Sequence, residues 1–188
     1  GHELDFDDVI QKDKLAIVDT NWIEGQDIQE PTTWNPVNEL ITYLGLFEAS
    51  ENVGYVTSCY QDEKGKFLPK KGNYDRTAGE LIQALTKCNG DISNVFGTIN
   101  EEAGAWIRFN PLDGNGVKNI NVTDYRYALV ESDSMEIEKQ NAILRELELP
   151  IAMLVFSGSK SLHAIVKVEA ASYEEYRNAL INDITKNQ

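Results

Sequence analysis

The sequence predicts an α+β domain in which a mixed or antiparallel sheet is covered on one face by helices. Period-two apolar runs recur through the second half of the chain, and amphipathic stretches with recognisable start signals separate them. Past residue 122 the segments follow the order strand, helix, strand, strand, helix, which favours antiparallel neighbours over a parallel α/β sheet. With 188 residues, 41% of them apolar, the chain can bury one core of ordinary size, and a single core is expected over residues 35–188.

Residues 3–30 are acidic with weak periodicity and read as an N-terminal arm over residues 1–34, with Trp22 and Trp34 as anchors onto the core. Gly1-His2 reads as the remnant of a cleaved tag. A helix opens at Asn35-Pro36, a capping residue followed by proline at the first helical position. It carries Val37, Leu40, Ile41, Leu44 and Phe47 on one face. Residues 53–59 read as a strand, and residues 62–73, with Lys64-Gly65-Lys66 and Lys70-Lys71-Gly72, as a polar loop. Thr77-Ala-Gly-Glu80 is a capping box that starts a helix running to about Lys87. Strands are expected at 92–99 and 103–109 and, beyond the turn residues of Pro111-Leu-Asp-Gly-Asn-Gly116, at 122–131. Ile137, Ile143, Leu144 and Leu147 stand among charges and make residues 134–147 an amphipathic helix. Strands at 151–156 and 161–168 flank the turn Ser157-Gly-Ser-Lys160, and Ser172-Tyr-Glu-Glu175 caps a last helix.

Lys and Arg number 17 against 31 Asp and Glu, a net charge of −14. Affinity for a nucleic-acid backbone comes from neutralising phosphates, so contact with DNA is expected only through a local patch, metal ions or partner segments. Cys59 and Cys88 lack metal-type spacing and are too few for a disulfide scaffold, which points to a reducing cytoplasm. No apolar run is long enough to span a membrane and no signal peptide precedes the acidic start, so no membrane partner is expected. Asn121-Val122-Thr123 matches a glycosylation acceptor, a tripeptide that arises by chance.

Strand alternation sharpens two motifs. Alternate residues of 125–133 share a face, so Glu131 and Asp133 point the same way at a strand end, where two carboxylates can grip a hard divalent cation. The competing reading makes Asp133 the cap of a helix beginning at Ser134. In 161–168, Leu162, Ala164, Val166 and Val168 occupy the buried face, while Ser161, His163, Ile165 and Lys167 look out over the other. His163 is the one histidine outside the Gly1-His2 start, and beside serine and lysine it suits a phosphate-handling site. Trp106, Arg108 and Asn110 alternate in the same way, so Arg108 can add positive charge to such a site. Gly158-Ser-Lys-Ser161 has the tail of a P-loop but neither its glycine spacing nor a following helix.

Tyr127-Ala-Leu-Val-Glu-Ser-Asp133, a helix containing Glu138-Lys139-Gln140, Leu149-Pro150 and the passage through Ser157-Gly-Ser-Lys-Ser-Leu-His-Ala-Ile-Val166 together resemble the catalytic core of the archaeo-eukaryotic primase (AEP) superfamily, in its phage and plasmid primase-polymerase branch. Ala103-Gly-Ala-Trp-Ile-Arg-Phe-Asn-Pro111 fits the same branch, and the resemblance spans roughly residues 53–176. It implies an RRM-like sheet with an N-terminal extension. It also implies template-directed nucleotidyl transfer in replication, with Glu131 and Asp133 holding Mg²⁺ or Mn²⁺ and Ser161, His163, Lys160 and Arg108 on the phosphates. The implied partners are nucleoside triphosphates, a DNA template and a helicase, fused or separate. The superfamily's third motif, a hydrophobic residue and a metal-binding aspartate, falls on a strand beyond the last helix. The chain reaches Gln188 before such a strand, and Asp183 lies in the last expected helix, so the fragment is expected to lack its third carboxylate and to be weak alone. Two other classes stay open: a nucleotide- or nucleic-acid-binding module without turnover, and an acidic protein-interaction domain.

Overall fold

Alternating side chains need a sheet to separate them, and the last third of the chain supplies one. In the computed structural model, which describes residues 3–5, 32–132, 134–156, 161–168, 174–175 and 178, four strands line up in the order β1 (Glu3–Asp5), β6 (Tyr127–Glu131), β8 (Leu162–Lys167), β7 (Ile151–Phe156). β1 runs parallel to β6, and β8 is antiparallel to both of its neighbours. Helix α4 (Ile137–Glu146) connects β6 to β7, leaving a gap that β8 fills, which is a split β-α-β arrangement. The chain is therefore α+β, as expected.

The inward face carries Ala128 and Val130 of β6 with Leu162, Ala164 and Val166 of β8 and the following Val168. Ile143, Leu144 and Leu147 of the α4 turn-face close over them. These residues form one contiguous apolar cluster, so period two on the strands and period 3.6 on the helix meet in a single core. Helix α4 begins at Ile137, three residues later than expected from 134–147, with Glu136 at the capping position and no side-chain cap. Asp133 is thus not adjacent to the first helical residue, which removes the reason for reading it as a cap.

The chain divides into two compact units: residues 1–32 with 125–188, which hold this sheet, and residues 33–124. No boundary at residue 124 was legible in the sequence. The second unit contains α1 (Pro36–Leu44), capped by the Asn35 side chain as expected, and α2 (Ala78–Lys87), on which both bonds of the Thr77–Glu80 capping box form. It holds two short ribbons, β2 (Tyr55–Val56) with β5 (Trp106–Ile107), and β3 (Cys59–Gln61) with β4 (Phe67–Pro69). The strand expected over 53–59 is thus broken in two, and that over 103–109 shortens to Trp106–Ile107.

Two expectations are corrected in this unit. The loop of 62–73 contains β4, because Asp62 Oδ1 accepts from the amides of Lys64 and Lys66, both at 2.9 Å, and Gly65 takes the left-handed φ of 77° that closes a tight turn. The strand of 92–99 is instead the short helix α3 (Ser93–Phe96), preceded by a turn in which the Asp91 side chain accepts from the Ser93 amide and followed by Gly97 at φ 83°. Local side-chain bonding outweighed the β-branched composition there. Gly54 is packed where a Cβ would lie 2.7 Å from Leu112 Cδ1 and 2.9 Å from Arg108 Cδ, so a larger residue there would require those side chains to shift.

Ile143 has no exposed surface at the centre of the sheet core. Ile143→Ala is expected to destabilise the full chain by about 2–5 kcal/mol, the range for a truncated core isoleucine, read as a lowered urea midpoint.

Candidate functional site

The β6–β8 pairing runs Tyr127 opposite Lys167, Ala128 opposite Val166, Leu129 opposite Ile165 and Val130 opposite Ala164. One further step brings Glu131 opposite His163, and their side chains touch, His163 Nε2 against Glu131 Oε2. On its other side His163 is paired with Val155 of β7, and Glu131 with Asp5 of β1, so one register row crosses all four strands. The expectation that the acidic motif and the histidine share a sheet face holds for Glu131 and His163.

The environments of the two groups differ. Glu131 is 6% exposed, and its Oε2 is buried with no aligned hydrogen bond, whereas the His163 side chain keeps 33% of its surface. Removing a carboxylate from water is costly unless positive charge or donors replace the water, and here the imidazole stands at that position. Contact between a ring nitrogen and a carboxylate oxygen requires a proton between them. Such a dyad can hold an imidazole in one orientation with its proton placed, or its carboxylate oxygen can serve a hard cation.

The other expected site residues fall differently. Ser161 does not look out beside His163: it is 3% exposed, and Ile165 two positions beyond His163 is buried as well, flanked by Leu129 and Met153. That face is a filled surface through which His163 emerges, with Lys167 exposed near its other end. Asp133 and Lys160 lie outside the described residues. Arg108 belongs to the second unit, where burial holds its guanidinium below its ordinary pKa and its amide donates to the Gly54 carbonyl at 2.8 Å. Among the described residues no group of three His, Cys, Asp or Glu able to hold a metal occurs. Glu131 fits one ligand position of a cation site only with His163 displaced, because its buried Oε2 faces the His163 ring nitrogen.

Gln140 was missed as a site residue. It has no exposed surface, yet it is polar and sits in the middle of α4. Its Nε2 donates to the Met135 carbonyl at 2.8 Å, in the segment after Glu131, and its Oε1 accepts from the Leu162 amide at 2.9 Å, between Ser161 and His163. An N–H needs an acceptor and a carbonyl a donor, so these two partners fix which way the amide is turned. One side chain thereby ties together the backbone flanking both motifs. The signal was present: Gln140 lies at i−3, i−4 and i−7 from Ile143, Leu144 and Leu147, inside the apolar stripe. The strand β1 was missed too, because the acidic arm showed little periodicity.

Comparisons of the chain with protein-family models, with curated proteins and with solved structures found no match.

Two outcomes follow for stability. Gln140→Leu removes the partner of the buried Leu162 amide and of the part-buried Met135 carbonyl and is expected to cost roughly 1–3 kcal/mol, seen as a depressed melting temperature. A double-mutant cycle of Glu131→Gln and His163→Ala should give a coupling of about 0.5–3 kcal/mol, while additive losses would mean the two groups do not interact.

Proposed function

We propose that the chain is the nucleotide-handling core of a primase-polymerase type nucleotidyltransferase, with its four-stranded sheet serving as an RRM-like platform. The observation that carries this reading is the meeting of Glu131 and His163 on adjacent antiparallel strands, since it joins the acidic and Ser-x-His segments of the resemblance at one point. Glu131 supplies a desolvated carboxylate, and with Asp133 it would hold Mg²⁺ or Mn²⁺. Bound there, the metal ion would neutralise polyphosphate charge and favour in-line attack by a 3′ hydroxyl. His163 keeps a third of its surface, and its ring could donate to a phosphate oxygen if a nucleotide drew Nε2 away from Glu131. Ser161 is buried just before β8, and Gln140 holds the two backbone segments in register. Lys160 is the nearest cation in sequence to this pair, whereas Arg108 belongs to the other unit.

The contact between Glu131 and His163 also favours a second reading, in which the pair is closed on itself and the scaffold binds nucleotide without turnover. Calorimetry with Mn²⁺ and a nucleoside triphosphate, followed by primer extension, separates the two. For the catalytic reading, Mn²⁺ is expected to bind in the millimolar range or tighter, and Glu131→Gln with Asp133→Asn to abolish binding while circular dichroism stays unchanged. His163→Ala is expected to weaken nucleotide binding by roughly 1.5–3 kcal/mol, the range for a charge-assisted hydrogen bond. Nucleotide affinity that ignores His163, or Mn²⁺ affinity that ignores both carboxylates, rejects the site. Intact binding without primer extension selects the second reading.

A further inference from the structure

The charge of −14 is not evenly spread. Between residues 58 and 71 four lysines, Lys64, Lys66, Lys70 and Lys71, face two acids, Asp62 and Glu63, so this segment is net positive. It is also the segment that folds into the β3–β4 hairpin, with Cys59 opposite Pro69, Tyr60 opposite Leu68 and Gln61 opposite Phe67. Backbone bonds extend the pairing by one residue at each end, Lys70 N to Ser58 O at 2.9 Å and Asp62 N to Lys66 O at 3.0 Å. Alternation then gathers Tyr60, Leu68, Lys66 and Lys70 on one face of the ribbon, the two lysines diagonal to the tyrosine. Tyr60 is 50% exposed against a half-buried Leu68, and all four lysines are exposed. Asp62 shares that face, but its carboxylate is engaged by the amides of Lys64 and Lys66.

We propose that this hairpin binds single-stranded nucleic acid, Tyr60 stacking on an unpaired base while Lys66 and Lys70 contact phosphates on either side. Four steps along the strand separate the lysines, about 13 Å at the usual rise, so a backbone laid along β4 meets both with a base between them. An exposed aromatic ring flanked by cations is the combination that holds single strands without sequence preference. A duplex offers no free base face, and an acidic peptide would use the lysines but leave the ring idle. The turn is already tied by the Asp62 bonds and by Gln61 Nε2 donating to the Gly65 carbonyl at 3.3 Å, so little ordering is needed on binding. The surface would serve the template in the function proposed above, yet it stands on residues separate from Glu131 and His163.

The test is fluorescence anisotropy of a labelled thymidine 15-mer with the full chain in EDTA, so that no divalent cation takes part. Tyr60→Ala is expected to weaken binding roughly 5- to 150-fold, the effect of losing one stacked base. Lys66→Ala with Lys70→Ala is expected to reduce the slope of log K against log salt by about 1.4, at ~0.7 per phosphate contact. Lys118→Ala, an exposed lysine of the same unit, should change neither. A uridine 15-mer should bind comparably, and a duplex far more weakly. Absence of binding by the unaltered chain overturns the proposal, as do an unaffected Tyr60→Ala, equal binding of duplex, or equal competition by polyglutamate. Nucleotide and Mn²⁺ titrations on the same variants should match the unaltered chain. Their failure in every protein would count against the site at Glu131 and His163 and leave the hairpin standing.

Discussion

The register between β6 and β8 is the constraint on which the sheet unit depends. Side chains alternate strictly along a strand, so one pairing decides at once that Ala128, Val130, Ala164 and Val166 go inward and that Glu131 meets His163 on the other face. A slip of one residue would turn those apolar residues to the opposite face and move Glu131 into the apolar cluster. The hydrophobic cluster with α4 therefore also enforces the polar contact, and site geometry needs no separate stabilising device on β8.

Gln140 supplements that enforcement with direction. Apolar packing tolerates small sliding between a helix and a sheet, whereas an amide that donates at one end and accepts at the other has one satisfactory position. Its burial is sustained because it satisfies the buried Leu162 amide, which would otherwise be orphaned, and the Met135 carbonyl besides. The acidic segment and the histidine strand are thus referenced to the same side chain of α4, as well as to each other.

Legibility in the sequence followed how local the signal was. The caps at Asn35 and Thr77, and the alternation that put Leu162, Ala164, Val166 and Val168 inward, rest on neighbouring residues and could be read directly. The pairing of Glu131 with His163 was legible as a shared face, but their contact was not, because register is a long-range property. Ser161 followed the same alternation as His163 and yet is buried, since alternation gives a face and says nothing of what fills it. The β3–β4 hairpin was hidden by its charges: Asp-Glu-Lys-Gly-Lys reads as solvent-exposed loop until the Asp62 bonds are seen. At residues 92–99 composition favoured a strand, and the local bond from the Ser93 amide to the Asp91 side chain accompanies a helical turn instead. Gln140 was overlooked because a polar residue is assigned by habit to the wet side of a helix.

The position of β8 carries a consequence for how the molecule comes into being. Among the described strands it is the last in the sequence, yet it lies between β6 and β7, which share no hydrogen bonds with one another. A chain emerging from the ribosome can form β6, α4 and β7 early, but they enclose an empty slot until β8 arrives, and non-local closure of this kind is the slow part of folding. Glu131 and His163 meet only in that closing step. Their contact is in effect a report that the sheet has been completed, and a population of molecules stalled before it would be blind to whatever ligand the pair serves.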